Sequence, residues 1–344
     1  MPRPVVTLRS KAPLRISFAG GGTDVDPYRS RYGGCTLSAT IDKYAYASCR
    51  PRNDDVIQVQ SLDYDIVAKY PSREPLVIDG ELDLIKAVIT RLRRGHSSKG
   101  FDLFLHSDAP PGSGLGSSST IVVALVTLFK ELYRRPLTSY EIAELAYDIE
   151  RVKLGMKGGM QDQYGAAFGG FNFIEYDASK VIVNPLRLNP EVLWELHYSL
   201  VLCYTRQTRQ SAGIIDEQTG RIERGDQQAL DATHAIKDLC VEMKNALLQG
   251  KLREFGELMH LSWEHKKKIA SRITNARINE MYEEARKLGA IGGKILGAGG
   301  GGYLLVFAPF DKKHLILKRV SEMGGQPVDF NFETQGAVTW RAGD

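Results

Sequence analysis

Cysteine is scarce and unpatterned in this chain. Cys35, Cys49, Cys203 and Cys240 are the 4 among 344 residues, with no C-x-x-C pair and no histidine spacing that suits zinc. Neither a disulfide framework nor a structural zinc site is expected, and reduced cytoplasmic thiols are. Long apolar runs are missing too: none reaches the ~20 residues that a membrane span needs. Residues 1–11 are basic and hold no apolar stretch of a secretory leader, so a cytoplasmic protein without membrane attachment is expected. A strong excess of one charge is also absent. Lys plus Arg is 45 and Asp plus Glu is 41, a net charge of +4, too small to argue for nucleic acid. No internal repeat is visible.

What the chain has is glycine in the right places. Residues 110–120 read Pro-Pro-Gly-Ser-Gly-Leu-Gly-Ser-Ser-Ser-Thr, and an apolar run from Ile121 to Tyr133 follows at once. Phe101, Leu103 and Leu105 alternate with Asp102, Phe104 and His106 ahead of it, which predicts a strand entering the loop. Pro110 and Pro111 end the strand, and Ser117 is the expected N-cap of the helix. A helix start offers unpaired N–H groups and the positive end of the helix dipole, so it suits a phosphate. The glycines let backbone approach the ligand closely. No lysine precedes the hydroxyl cluster, so this is not a Walker A loop. The competing reading is a Ser/Gly-rich linker that merely starts a helix.

Apolar content of 43% and charged content of 25% predict a folded protein of one large or two ordinary domains. Leu14, Ile16 and Phe18 predict a first strand running into Gly20-Gly21-Gly22-Thr23-Asp24. Residues 35–49 read as further strand, 56–59 with 66–70 as a hairpin, and 82–92 as a helix. Ile142, Leu145, Ala146 and Ile149 give Glu141 to Glu150 helical spacing. A glycine-rich loop is expected over 155–170 and a strand over 171–176. Leu200 to Tyr204 reads as strand and 214–288 as mostly helical. The picture is α+β in two parts, 1–190 and 191–344.

A second glycine run, Gly297 to Gly302, matches G-x-G-x-x-G. The dinucleotide fingerprint needs a helix after the loop, and Tyr303-Leu304-Leu305-Val306-Phe307 is a strand pattern. The readings left are a tight hairpin between buried strands, or a backbone wall against a bound substrate or nucleotide.

Three carboxylates stand out. Glu150 borders an apolar helical stripe at the helix end, just before a glycine-rich loop, and is a candidate ligand for Mg²⁺; its alternative is a border residue covering apolar surface. Asp162, in Gly158-Gly159-Met160-Gln161-Asp162-Gln163-Tyr164-Gly165, suits a general base, with Lys157 as a nearby cation. Asp24, after Thr23, suits sugar hydroxyls. For both aspartates turn chemistry is the competing use.

Three motifs in order resemble the GHMP kinase superfamily of galactokinase, homoserine kinase and mevalonate kinase. They are Ala12-Pro13-Leu14-Arg15 through Gly20-Gly21-Gly22-Thr23-Asp24, Pro110 to Thr120, and Lys294 to Gly302. The first motif, Leu37-Ser38-Ala39-Thr40-Ile41-Asp42-Lys43-Tyr44-Ala45-Tyr46 and Gly159 to Gly170 are most similar to D-glycero-D-manno-heptose 7-phosphate kinases. Fucose kinases share a similar opening motif.

The resemblance implies a two-domain GHMP kinase fold, an N-terminal ribosomal-protein-S5-like domain and a C-terminal ferredoxin-like domain, with the active site between them. It implies ATP and Mg²⁺ acting on the C1 hydroxyl of a heptose 7-phosphate, for nucleotide-activated heptose and surface polysaccharide. A fucose kinase, or a non-catalytic sugar sensor on the same fold, are the alternatives. By this resemblance Pro111, Gly112, Ser113, Gly114, Leu115, Gly116, Ser117, Ser118 and Ser119 hold the triphosphate. Ser118 and Glu150 bind Mg²⁺, with Ser117 as the other serine for that role. Asp162 is catalytic, with Arg15 orienting the acceptor; Lys157, from its place near Asp162 in the sequence rather than from the resemblance, keeps that carboxylate ionised or orients the acceptor oxygen. Gly21, Gly22, Thr23, Asp24, Gly299 and Gly300 line the sugar. Gly20-Gly21-Gly22 stands where galactokinases carry a Glu-His pair, so galactose is not expected as substrate. For the substrate's own phosphate the cationic candidates are Arg209 with Ser211 beside it, then Lys11 and Lys157. The partners expected are ATP and a sugar phosphate, on a monomer or homodimer.

Overall fold

A computed structural model describes residues 6–93, 99–207 and 212–343. Two sheets organise them. The larger one, of eight strands, is built on β1 (Val6–Ala19) and β2 (Gly34–Pro51), with β3 (Val56–Ser61), β4 (Ile66–Pro71), β5 (Phe101–Ser107), β6 (Phe171–Tyr176) and β7 (Val181–Pro185). Its order is β12-β1-β2-β5-β3-β4, with β6 on the other half of β2 and β7 beyond it; β12 is Val338–Gly343. The smaller sheet runs β11-β8-β10-β9, from β8 (Leu200–Tyr204), β9 (Gly292–Ile295), β10 (Tyr303–Phe307) and β11 (Gln326–Pro327). A division at residue 190 therefore does not separate the sheets, because β12 returns to pair with β1.

The helices are α1 (Tyr28–Tyr32), α2 (Asp83–Arg93), α3 (Ser117–Leu132), α4 (Ser139–Tyr147), α5 (Gln161–Phe168), α6 (Pro190–Ser199), α7 (Ala212–Glu223), α8 (Gln227–Leu248), α9 (Leu252–Ile269), α10 (Ala276–Lys287) and α11 (Lys313–Glu322). None among the described residues is long and apolar enough to cross a membrane. Local chemistry sets their starts. Thr138 and Glu141 form a reciprocal capping box on α4, and Asn189 caps α6 ahead of Pro190. Asp226 and Asn275 cap α8 and α10.

From Ser119 to Phe129 α3 is buried on every side, as a helix sealed inside a domain must be. Val122 to Phe129 is buried in one core with α2, α4 and the face of β2, β3 and β5. Each Val, Leu and Phe side chain of this run contributes ~1.5–3 kcal/mol through burial. A second core joins Leu14, Ile16 and Phe18 of β1 to Leu200, Leu202 and Leu305 of the small sheet and to Met243, Phe255 and Met259 of α8 and α9. The two sheets thus share apolar packing along β1. The four cysteines are buried and unpaired.

Irregularity in β1 positions the site. The β1–β2 register shifts between Pro13 and Arg15, as expected where proline lacks its N–H. The N–H of Arg15 then donates to Leu115 O at 3.2 Å, tying the strand to the first glycine loop.

Candidate active site

The two glycine runs meet backbone to backbone. A Cβ at Gly114 would lie 2.4 Å from Leu296 O, and one at Gly297 would lie 2.8 Å from the Gly114 Cα. Only glycine permits that approach. Tyr303 N–H donates to Ser113 O at 3.1 Å. The second run is therefore a hairpin turn between β9 and β10 that also buttresses the first loop. Gly297 and Ala298 reach the cleft wall. Gly299 and Gly300 do not: they pack on Ile273, whose carbonyl accepts the Gly300 N–H at 2.7 Å.

The cleft has a volume of about 680 Å³. Pro111, Gly112, Gly114 and Gly116 to Ser119 form one wall. Ser113 and Leu115 are fully buried behind it. The N-cap of α3 is Gly116, in a left-handed conformation and without a side-chain cap, rather than Ser117. Ser117 is the first helical residue, its hydroxyl 3.4 Å from Pro110 O. The first-turn amides of α3 have no carbonyl partner within the helix, and the residues that carry them, Gly116 to Ser119, line the cleft.

Asp162 faces that helix end. Its carboxyl carbon lies 3.1 Å from where a Cβ of Gly116 would sit. Arg15 Nη2 is 2.5 Å from Asp162 Oδ1, and Arg15 Nη1 donates to Gly114 O at 2.7 Å. One buried guanidinium therefore links the phosphate-type loop to the carboxylate. Asp162 keeps 20% side-chain exposure against 3% for Arg15, so its carboxylate remains open to a ligand. The glycine-rich loop expected over 155–170 contains the short helix α5, with Asp162 in its first turn. Lys157 lines the cleft, but its ion-pair partner is Asp216 at 3.9 Å, not Asp162.

Glu150 reaches the cleft by a change of helical pitch. α4 ends at Tyr147, and residues 148–153 form a wider π turn; such turns re-aim side chains. Glu150 is 1% exposed. Gln163 Nε2 donates to its Oε2 at 2.6 Å, and Arg151 Nη2 stands 3.4 Å from its Oε1. Burial pushes its carboxyl above the usual value, with Arg151, Ser119 and Gln163 opposing the shift. A divalent cation fits this position. It would add positive charge beside a buried carboxylate that Arg151 offsets only in part, since burial still raises its pKa, and Mg²⁺ needs few protein oxygens when phosphates and water complete its shell. Among the described residues no cluster of three or more His, Cys, Asp or Glu is placed to hold a metal alone.

Asp24 lines the cleft, yet its carboxylate is already engaged. Oδ1 accepts the Gly22 N–H at 3.0 Å, and Oδ2 accepts those of Met160 and Gln161 at 3.0 and 3.1 Å. It staples the first motif to the α5 start, which is the turn use of aspartate. Gly159 serves this staple, since a Cβ there would fall 1.9 Å from Asp24 Oδ2. Thr23 is fully buried, bonded to Gly20 O and Cys35 O, while Gly21 and Gly22 line the cleft. Lys11 lies away from it, over the Tyr44 ring and 4.0 Å from Glu333. Arg209 and Ser211 fall outside the described residues.

Sequence reasoning missed three cleft residues. Arg151 Nη2 donates to Ser119 Oγ at 3.2 Å, Gln218 Nε2 donates to Gly22 O at 3.1 Å, and Lys266 Nζ donates to Gly21 O at 2.9 Å. Lys266 was concealed in Lys266-Lys267-Lys268, which reads as a solvated charge run. The signal was its phase: Phe255, Met259, Ser262 and Lys266 share the buried stripe of α9.

The family model for the GHMP kinases N terminal domain matches residues 83–170, and that for GHMP kinases C terminal matches 243–326. The chain is 40% identical over 338 residues to D-glycero-alpha-D-manno-heptose 7-phosphate kinase of Campylobacter jejuni, covering 97% of this chain and 99% of that one. A crystal structure of a D-glycero-D-manno-heptose 1-phosphate kinase from Bacteroides thetaiotaomicron superposes with a TM-score of 0.84 at 38% identity, over 98% of this chain and 100% of the other. Lactococcus lactis galactokinase complexed with galactose shares the fold, with a TM-score of 0.77 at 20% identity over 96% and 95% of the two chains. With both domains matched and near-complete coverage at 40% identity, the chain belongs to the GHMP kinases, has their two-domain fold, and is an ATP-using sugar-phosphate kinase.

Proposed function

We propose that the enzyme transfers the γ-phosphoryl group of ATP to the anomeric C1 hydroxyl of D-glycero-D-manno-heptose 7-phosphate, giving the 1,7-bisphosphate. The observation that carries this is the juxtaposition of Asp162 with Arg15 and the uncapped start of α3 in one cleft. The amides of Gly116 to Ser119 receive the β- and γ-phosphates, where helix dipole and unpaired N–H groups favour anions. Asp162 accepts the C1 hydroxyl proton as that oxygen attacks the γ-phosphorus. The bond from the γ-phosphorus to the β-bridging oxygen breaks, and ADP leaves. Arg15 fixes the carboxylate and, through Gly114 O, its spacing from the phosphate loop. Positioning of this kind carries most of phosphoryl-transfer catalysis.

Glu150 and Ser118 are the residues that would hold Mg²⁺. When bound, the ion offsets the charge gathered on the transferring group. Arg151, which donates to Ser119 Oγ and to Lys157 O, adds positive charge to the same wall.

The relatives support a heptose phosphate as acceptor, though their names differ over the phosphate already present, at position 7 in one and position 1 in the other. Chemistry favours C1 as the accepting position. The anomeric hydroxyl is the most acidic in a reducing sugar, so a lone carboxylate base has least to do there. A bisphosphate of this kind suits later nucleotide activation for surface polysaccharide. The test is coupled ADP release over heptose 7-phosphate, unphosphorylated heptose, mannose, fucose and galactose. Turnover highest with heptose 7-phosphate is expected; equal or better turnover with fucose or galactose would overturn the reading.

A further inference from the structure

One corner of the cleft is built from Gly21, Gln161, Gln218 and Lys266. Lys266 comes from α9, Gln218 from α7 and Gln161 from the start of α5, so three helices converge on the backbone of the first motif. The Lys266 ammonium donates one hydrogen bond to Gly21 O at 2.9 Å. Lys266 is 8% exposed and forms no ion pair within 4 Å among the described residues. Asp24, the acid nearest in effect, already accepts three backbone N–H groups. Lys294 of β9 stands behind it, donating to Phe18 O at 3.3 Å. Gln161 Oε1, in the same corner, is buried with no hydrogen-bond partner among the described residues.

A buried ammonium that among the described residues donates a single hydrogen bond and meets no acid is costly unless a ligand completes it. A sugar hydroxyl would not offset that cost, because neutral donors and acceptors would serve it as well. A phosphate monoester would, since it brings up to two negative charges and three acceptor oxygens.

Resting on the kinase reading above, we infer that Lys266, with Gln218 beside it, anchors the phosphate that the sugar acceptor already carries. It is a specificity residue: it holds the anionic end of the acceptor while Asp162 and Arg15 work at the reacting hydroxyl. The unpartnered Gln161 oxygen accepts a hydroxyl between the two ends. Burial drives the Lys266 ammonium down to about 8 and that of Lys294 down to about 7, the latter also through repulsion by Lys266 and Arg15. A bound dianion relieves that strain on both.

The experiment compares kcat/KM for heptose 7-phosphate and for unphosphorylated heptose in the wild type, Lys266→Met and Gln218→Leu, with ATP affinity and the melting midpoint measured alongside. Losing one partner of a buried charge pair predicts that Lys266→Met lowers the ratio of the two kcat/KM values by about 30-fold or more. Gln218→Leu shifts the ratio the same way by less. Because the ratio is internal to each protein, partial misfolding does not mimic the effect. A wild type active on heptose 7-phosphate but no better than on the unphosphorylated sugar would overturn the phosphate anchor and leave the kinase reading standing. A discriminating wild type whose ratio survives Lys266→Met would place the phosphate elsewhere and overturn the assignment. A wild type inactive on both sugars would overturn the kinase reading itself.

Discussion

Replacing Asp162 by asparagine removes the proposed base while keeping its volume. The structural cost is bounded by what Arg15 retains. Breaking a fully buried ion pair from one side costs about 3–5 kcal/mol. Here Asp162 is 20% exposed, Arg15 still donates to Gly114 O, and the asparagine oxygen can still accept from the guanidinium. A loss of about 1–2 kcal/mol is therefore expected, which leaves an ordinary protein folded. The chemical cost is larger. General base catalysis contributes about 100- to 10,000-fold, or about 3–5 kcal/mol of barrier. The assay is steady-state ADP release with saturating ATP and sugar, with nucleotide affinity titrated separately. Turnover should fall by at least about 100-fold, and ATP affinity should stay within about threefold because the α3 amides are untouched. Turnover within about tenfold of the wild type in a folded variant would refute the base assignment.

Other expectations follow from the same geometry. Glu150→Gln keeps a partner for Gln163 but removes the charge, so half-maximal Mg²⁺ should rise by about tenfold or more; an unchanged Mg²⁺ titration would contradict its role. Gly159→Ala drives a methyl into Asp24 Oδ2 and should destabilise the protein by about 2–3 kcal/mol, read as a lower denaturation midpoint; a midpoint equal to the wild type would show that the staple yields. Lys266 has a folded pKa of about 8, below its usual 10.5, so the unfolded chain binds more protons between those values and its burial penalty fades as pH rises through them. Stability should gain from Lys266 over that window. The KM for a sugar phosphate should instead climb above about pH 8 as the ammonium is lost, among Asp24, Arg15 and the likewise depressed Lys294. Lys266→Met should show no such climb; a climb that persists would assign it to another group.

Much of this site was legible because glycine and turn residues act locally. Pro110 to Thr120 announced a loop and a helix start, and the strand after Gly302 correctly excluded a dinucleotide fold. What escaped depended on tertiary context. Glu150 sat ambiguously on a regular helical wheel, and a π turn settles its direction. α5 was hidden because glycines at both its ends made Gln161 to Phe168 read as loop. Asp24 looked free for a sugar because its three partners are backbone amides, two of them more than 130 residues away. The return of β12 to β1 leaves no local trace, since an edge strand records only its own alternation.

The position of the new phosphate tests the account most directly. The purified enzyme would be given ATP and D-glycero-D-manno-heptose 7-phosphate, and the product followed by phosphorus and proton NMR. The account predicts a second phosphorus signal coupled to the anomeric proton, with the original 7-phosphate signal retained. A new phosphate on any other carbon, or turnover only with heptose 1-phosphate, would contradict it.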